Sequence, residues 1–264
     1  MKTNPVRAAL KAGQPSVGTW LALPHPTFAA LMSTTGLAWL TIELEHSPAD
    51  METAAQCFAI IAASGCVPLA RVPWNTVENI KRVLDTGAFG VIVPFVNSRA
   101  EAEAVVKAAR FRPAGERSVG GQLQVANFAT DPSTYYTKAN DEILVVVMAE
   151  HVDAIANIDD ILSVPGIDAV FIGPNDLHAS MGLIPAFESD HPEFQAALKK
   201  VFASAKAHGV APGIHVANAA MARRRLDEGW QMIAVASEVG SMIEKTSEVV
   251  TTLGLAQRGP MAKY

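Results

Sequence analysis

The stretch Ile143-Leu144-Val145-Val146-Val147-Met148-Ala149-Glu150 is an unbroken apolar run that ends in a carboxylate. It shows no polar alternation, is rich in β-branched side chains and is too short for a buried helix. Those properties describe a strand covered on both faces. Reading outward finds seven more such runs. Val17 to Leu23, Trp39 to Leu44, Pro68 to Val72 and Gly90 to Val96 precede it; Asp168 to Ile172, Ala211 to Val216 and Met232 to Ala236 come after it. The segments between them read as helices. Val77, Ile80, Val83 and Leu84 share one helical face in a segment that stops at Gly87. Ser98-Arg99-Ala100-Glu101 has the form of a capping box, and Asp190 to Glu193 has a similar form. Strand and helix alternating eight times indicate an α/β fold of the (β/α)8 TIM-barrel type, one domain over residues 1–264. A doubly wound open sheet is the competitor, but no G-x-G-x-x-G comes after the first strand. The long intervals after the fourth and sixth runs read as loop insertions. In the first, Pro113, Gly115, Gly120 and Gly121 interrupt any continuous helix.

With 264 residues, half of them hydrophobic, the chain can bury a sizeable core. A formal charge of -5 offers no basic surface for nucleic acid, and Arg223-Arg224-Arg225 reads as a solvated helix face. Cys57 and Cys66 are too few for a disulfide framework, which suits a reducing compartment. The N-terminus lacks the apolar core of a signal peptide, and no apolar run is long enough to span a bilayer. A soluble, cytoplasmic protein that binds neither membrane nor nucleic acid is expected.

In such a barrel the chemistry sits where the strands end, and here those ends are polar. The second strand runs into Glu43-Leu44-Glu45-His46, the third carries Arg71, the fifth ends at Glu150 and the sixth opens into Gly173-Pro174-Asn175-Asp176. Each residue has a plainer reading. Asp176 could cap a helix, His46 could be a packing residue, and Arg71 could pair with a rim charge. Their convergence on one rim favours function, because unpaired charge near a core is costly. Glu150 and Asp176, from adjacent strands, can approach one ion; an all-oxygen pair suits Mg²⁺ or Mn²⁺ and leaves positions open to substrate. The planar fork of Arg71 suits a carboxylate or enolate oxygen. His46 can exchange a proton near neutral pH. Asp85 could orient it, or could simply be polar at a helix end. Backbone N–H groups after Gly173 could meet an anion.

These residues stand in recognisable company. Trp39 to Pro48 (WLTIELEHSP), Arg71-Val72-Pro73-Trp74-Asn75, Leu84-Asp85-Thr86-Gly87, Arg112 to Gly120, Glu150 and Phe171-Ile172-Gly173-Pro174-Asn175-Asp176-Leu177 resemble the HpcH/HpaI aldolase family, in its order and spacing. The likeness runs from about Ala8 to about Glu248, and is nearest to the branch of 4-hydroxy-2-oxoheptanedioate and sugar-acid aldolases. The resemblance implies a barrel of the phosphoenolpyruvate/pyruvate superfamily and a class II aldolase that cleaves a 4-hydroxy-2-oxo acid reversibly. The products would be pyruvate, or a hydroxypyruvate-like 2-oxo acid, and an aldehyde. It implies Glu150 and Asp176 as ligands of Mg²⁺, Mn²⁺ or Co²⁺, and Arg71 as the group that holds pyruvate and steadies its enolate. It also implies His46 as acid/base with Asp85 as its partner, and the backbone of Gly173, Pro174 and Asn175 as the seat of the pyruvate carboxylate. It further implies a homo-oligomer, a hexamer or trimer, with the last helices packed on a neighbour. The apolar residues Met242, Ile243, Val249, Val250, Leu253 and Leu255 could supply that face, or could pack as an ordinary eighth barrel helix.

Three positions depart from the family pattern. Glu43 and Leu44 replace a usual Asp-Gly, and Met148 stands where relatives often carry glutamine. Glu43, Glu45 and Met148 are therefore expected just behind the site, Glu43 reaching toward the ion through water. Rival readings are another lyase of the superfamily, acting on a CoA ester or by decarboxylation, and a non-catalytic metal-binding barrel.

Overall fold

All eight apolar runs form strands, and the strands close into one parallel barrel in chain order. They are β1 (Ser16–Leu21), β2 (Trp39–Glu43), β3 (Val67–Arg71), β4 (Gly90–Val93), β5 (Leu144–Met148), β6 (Ala169–Ile172), β7 (Ala211–Val216) and β8 (Met232–Ser237). This computed structural model describes residues 1–255; residues 256–264, the end of the domain expected from the sequence, lie outside them. Closure leaves no sheet edge, and β1 pairs with both β2 and β8. Every residue of β2, β4, β5 and β6 is buried, which is why those segments carry no polar alternation.

Local signals set most helix ends. The Ser98 hydroxyl accepts the Glu101 N–H at 3.3 Å and starts the helix Arg99–Ala109, while Glu101 reaches back to the Asn97 N–H at 2.6 Å. Three expectations are corrected. The helix Pro192–His208 begins after His191 without a side-chain cap, so Asp190 does not start it. Val77 is 56% exposed, whereas Ile80, Val83 and Leu84 are buried, because Val77 lies in the first turn, above the layer the others pack into. The long intervals are largely helical: Leu123–Asn127 and Pro132–Glu142 lie before β5, and Pro174–Ser180 and Pro192–His208 lie before β7. A further helix, Pro5–Lys11, precedes β1.

The N-terminal end of the barrel is fastened by a buried ionic clamp. Arg110 donates to the carbonyls of Asn140, Ile143 and Gly166 and to Asp168 Oδ2 at 2.8 Å. Asp168 also accepts the Val145 N–H and, through Oδ1, Arg7 Nε, each at 2.8 Å. One carboxylate thus joins the first helix to the starts of β5 and β6. No helix among the described residues is long and apolar enough to cross a membrane.

With 3% of the Arg110 side chain exposed, loss of its partner would strand a buried charge. Asp168→Ala should cost about 3–5 kcal/mol of stability, read as a lower denaturant midpoint in equilibrium unfolding.

Candidate active site

Glu43 and Arg71 are facing partners in the β2/β3 register, so their side chains leave the barrel mouth at one height. Arg71 donates from Nε to Glu43 Oε2 at 2.7 Å, and its Nη2 lies 2.6 Å from the same oxygen. Glu43 Oε1 accepts the N–H groups of Glu45, at 2.7 Å, and His46, at 3.1 Å. Both Glu43 oxygens are therefore committed to the arginine and to the turn after β2. That occupancy favours a role behind Arg71 over the expected reach toward an ion. Glu45 Oε2 stands 3.2 Å from Arg71 Nε. The guanidinium lies over the Trp20 ring, 4.9 Å from its centroid. Burial works against the Arg71 charge, but Glu43, Glu45 and Glu150 more than offset it and raise its pKa above the ordinary value. Among the described residues Nη1 has no partner and remains free to donate.

Glu150 comes directly after β5 and its neighbour Ala149, and is 1% exposed. Its Oε1 accepts the N–H of Phe95 at 2.9 Å, a residue turned into the left-handed region at φ 50°. Its Oε2 is buried without a hydrogen bond among the described residues. Burial pushes the carboxyl up to about 8, against the Phe95 N–H and Arg71, with Asp176 and Glu45 adding to the rise. Asp176 sits half-buried in the first turn of Pro174–Ser180. Gly173 lies against the Glu150 side chain. A Cβ there would strike Glu150 Oε2 and come within 3.1 Å of both Glu150 Cβ and Met148 Cε. Met148 thus lies on the same side of Gly173 as the Glu150 carboxylate, and it is 2% exposed.

This donor set fits a hard divalent cation. A buried acidic oxygen without a partner, with a second carboxylate close enough to perturb it, is the environment such an ion relieves. Among the described residues no three His, Cys, Asp or Glu side chains form a closed metal cage. An ion here would therefore take the rest of its coordination from water and substrate.

His46 is the exposed member, with 60% of its side chain accessible and Nε2 3.7 Å from Glu45 Oε1. Asp85 is engaged elsewhere. Its Oδ1 lies 2.7 Å from Arg117 Nη2, whose side chain is wholly buried against Phe111 and Tyr135. Among the described residues no ion pair joins Asp85 to His46; the carboxylate beside the histidine is Glu45. Asn175 and Asp176 come after Pro174 at a helix start that no side chain caps. Arg225 is not the solvated residue expected. It is 5% exposed and bound to Glu188 and Glu228.

One polar residue at the mouth escaped the sequence reading. His215, next to last in β7, places Nε2 2.8 Å from the Ala236 carbonyl oxygen. Its ring lies 5.7 Å from that of Trp20 and 4.9 Å from that of Phe187. A polar residue near the end of an apolar strand, the signal that marked Arg71, would have found it.

The HpcH/HpaI aldolase/citrate lyase family model matches residues 16–245. A 4-hydroxy-2-oxo-heptane-1,7-dioate aldolase of Shigella flexneri is 38% identical over 260 residues, covering 98% of this chain and 97% of its own. The Escherichia coli protein of the same name is 40% identical over 232 residues, 88% of each chain. The crystal structure of an HpcH/HpaI aldolase from Desulfitobacterium hafniense superposes with a TM-score of 0.88 at 30% identity, over 96% of this chain and 98% of that one.

The raised Glu150 pKa has a definite sign. Between its ordinary 4.5 and about 8 the folded state holds a proton that the unfolded state has lost. Stability of the metal-stripped protein should therefore fall as pH rises through that window and level off above it. Glu150→Gln should flatten that fall, measured by urea midpoints across the same range. An unchanged slope would show that Glu150 is not the group responsible.

Proposed function

This chain belongs to the HpcH/HpaI aldolase/citrate lyase family and is a carbon–carbon lyase of the class II pyruvate aldolase kind, and we propose that it works on 4-hydroxy-2-oxo acids through Glu150, Asp176, Arg71 and His46. The observation that carries the residue assignment is the unpartnered Glu150 oxygen, which shares the barrel mouth with a guanidinium whose Nη1 is also free. Glu150 and Asp176 would hold the divalent ion, which when bound supplies Lewis acidity toward a 2-oxo acid. Mg²⁺, Mn²⁺ and Co²⁺ are the ions we propose.

The chain's own groups divide the remaining work. Arg71 binds the oxygen on which negative charge develops, and Glu43 keeps the guanidinium aimed so that little reorganisation is needed. Gly173 lets the Glu150 carboxylate lie against the backbone, because any side chain there would collide with its Oε2. Leu44 and Met148, both buried, keep water away from that wall. His46, in reach of solvent and beside Glu45, passes a proton to or from the hydroxyl oxygen formed or broken with the carbon–carbon bond. Pyruvate and an aldehyde are the proposed products of cleavage.

Assembly and setting belong to the same reading. In the helix Glu238–Thr252 only Glu238 is buried; Met242 and Val249 in it, and Leu253 and Leu255 just after it, are about half exposed or more. We take that apolar face to be covered in a homo-oligomer, a hexamer or trimer. Cys57 and Cys66 are free buried thiols whose pKa burial pushes up to about 11, which suits a reducing cytoplasm.

Incubation with 4-hydroxy-2-oxo acids should release pyruvate, excess chelator should stop it, and Mg²⁺, Mn²⁺ or Co²⁺ should restore it. His46→Ala should lose on the order of 10²–10⁴-fold in aldol turnover. It should still exchange pyruvate methyl protons with D₂O, whereas Arg71→Ala should lose both. Equal loss of exchange in the two variants would move His46 into enolisation; turnover on an acyl-CoA thioester instead would replace the aldolase assignment.

Light scattering at micromolar concentration should give a multiple of the 28.0 kDa chain. A fully active monomer would remove the oligomer.

A further inference from the structure

The groups assigned above to the 2-oxo acid come from the arc β2, β3, β5 and β6. The other arc, β7, β8 and β1, is lined differently. Trp20 and Phe187 are its apolar wall, and His215 stands between them with ring centroids at 5.7 Å and 4.9 Å. The face of Trp20 is shared, since the Arg71 guanidinium lies 4.9 Å from the same ring centroid. The aromatic arc therefore begins where the arginine ends, and the portion of a substrate that extends beyond its 2-oxo acid end meets it.

Three features fix the His215 ring. Its Nε2 lies 2.8 Å from the carbonyl oxygen of Ala236, which can only accept, so Nε2 carries the hydrogen. Ala236 is turned to φ 51°, where the β1/β8 register shifts between Gly18 and Trp20, and that turn aims the carbonyl. Phe187 closes on the ring edge-to-face at 88°, and its neighbour Glu188 is tied to Arg224 and, at 3.0 Å, to Arg225. With the hydrogen on Nε2, Nδ1 of the neutral ring is a lone-pair acceptor. It has no partner among the described residues, yet is not sealed from solvent. Burial pushes the His215 pKa down to about 4, with the Arg71 charge acting in the same direction, so the acceptor persists at neutral pH.

We propose that His215 is a specificity residue, whose Nδ1 accepts a hydrogen bond from a hydroxyl group on the aldehyde partner, so that the enzyme favours hydroxylated over plain aliphatic aldehydes. The inference rests on the aldolase reading above. An apolar wall accommodates the carbon chain of either aldehyde, but the open Nδ1 acceptor can take a hydrogen bond from only one of them.

The test compares pyruvate addition to 2-hydroxypropanal and to propanal, which differ by one hydroxyl. The readout is the ratio of their kcat/KM values, in which any general loss of Arg71 geometry or folded fraction cancels. The wild-type ratio should favour 2-hydroxypropanal. His215→Leu, which keeps bulk and removes the acceptor, should lower the ratio by about tenfold. His215→Asn, which keeps a polar acceptor, should fall between the two. An equal ratio in wild type and His215→Leu, with both aldehydes turned over, would overturn the role of His215 and leave the aldolase reading standing. No pyruvate-dependent addition to any aldehyde by the metal-loaded wild type would overturn both.

Discussion

The register of β2 against β3 is the constraint on which the mouth of this barrel depends. It sets Glu43 opposite Arg71, and their ion pair is a product of the strand pairing rather than of a flexible search by two long side chains. A guanidinium with 14% of its side chain exposed is costly to keep charged, and a buried pair is a weak source of net stability. Its contribution is positional. Glu43 gives one oxygen to the arginine and the other to two N–H groups of the adjoining turn, so the same carboxylate that holds Arg71 also shapes the segment bearing His46.

Acidic groups can crowd around that cation because each has a separate partner. Glu43 has the backbone turn, Glu45 lies between Arg71 and His46, and Glu150 has the Phe95 N–H. One Glu150 oxygen is left over without a hydrogen bond, and Asp176 is near enough to add to the rise in its pKa. The mouth is therefore divided into an ionic half that handles charge and an aromatic half, from β7 round to β1, where shape and a single hydrogen bond discriminate.

The barrel itself was legible because a strand buried on both faces is apolar over most of its length, as β4, β5 and β6 are throughout. The polar strand ends were legible for the complementary reason: charge at the edge of a core needs a purpose. Pairings were less so. Whether Asp85 meets His46 or Arg117 depends on where residues 32 positions apart come to rest, and periodicity carries no information about that. Arg225 shows the same limit, since a basic triplet on a helix reads as solvated until a loop folds Glu188 onto it. His215 was overlooked because a lone histidine in an apolar strand looks like packing, and its tautomer is decided by a carbonyl on the next strand. The short helices of the long intervals were hidden by glycine and proline, which mark where one element stops but not which kind of element comes next.

The ionic clamp of Arg7, Arg110 and Asp168 lies at the opposite end of the strands from the mouth. Cohesion and chemistry are thereby given to separate ends of one scaffold, with the apolar barrel interior between them. Side chains around the rim can then be exchanged without touching the fastening that holds the strands together. That separation is the physical basis of evolvability: new substrates can be explored at one pole while the other keeps the fold.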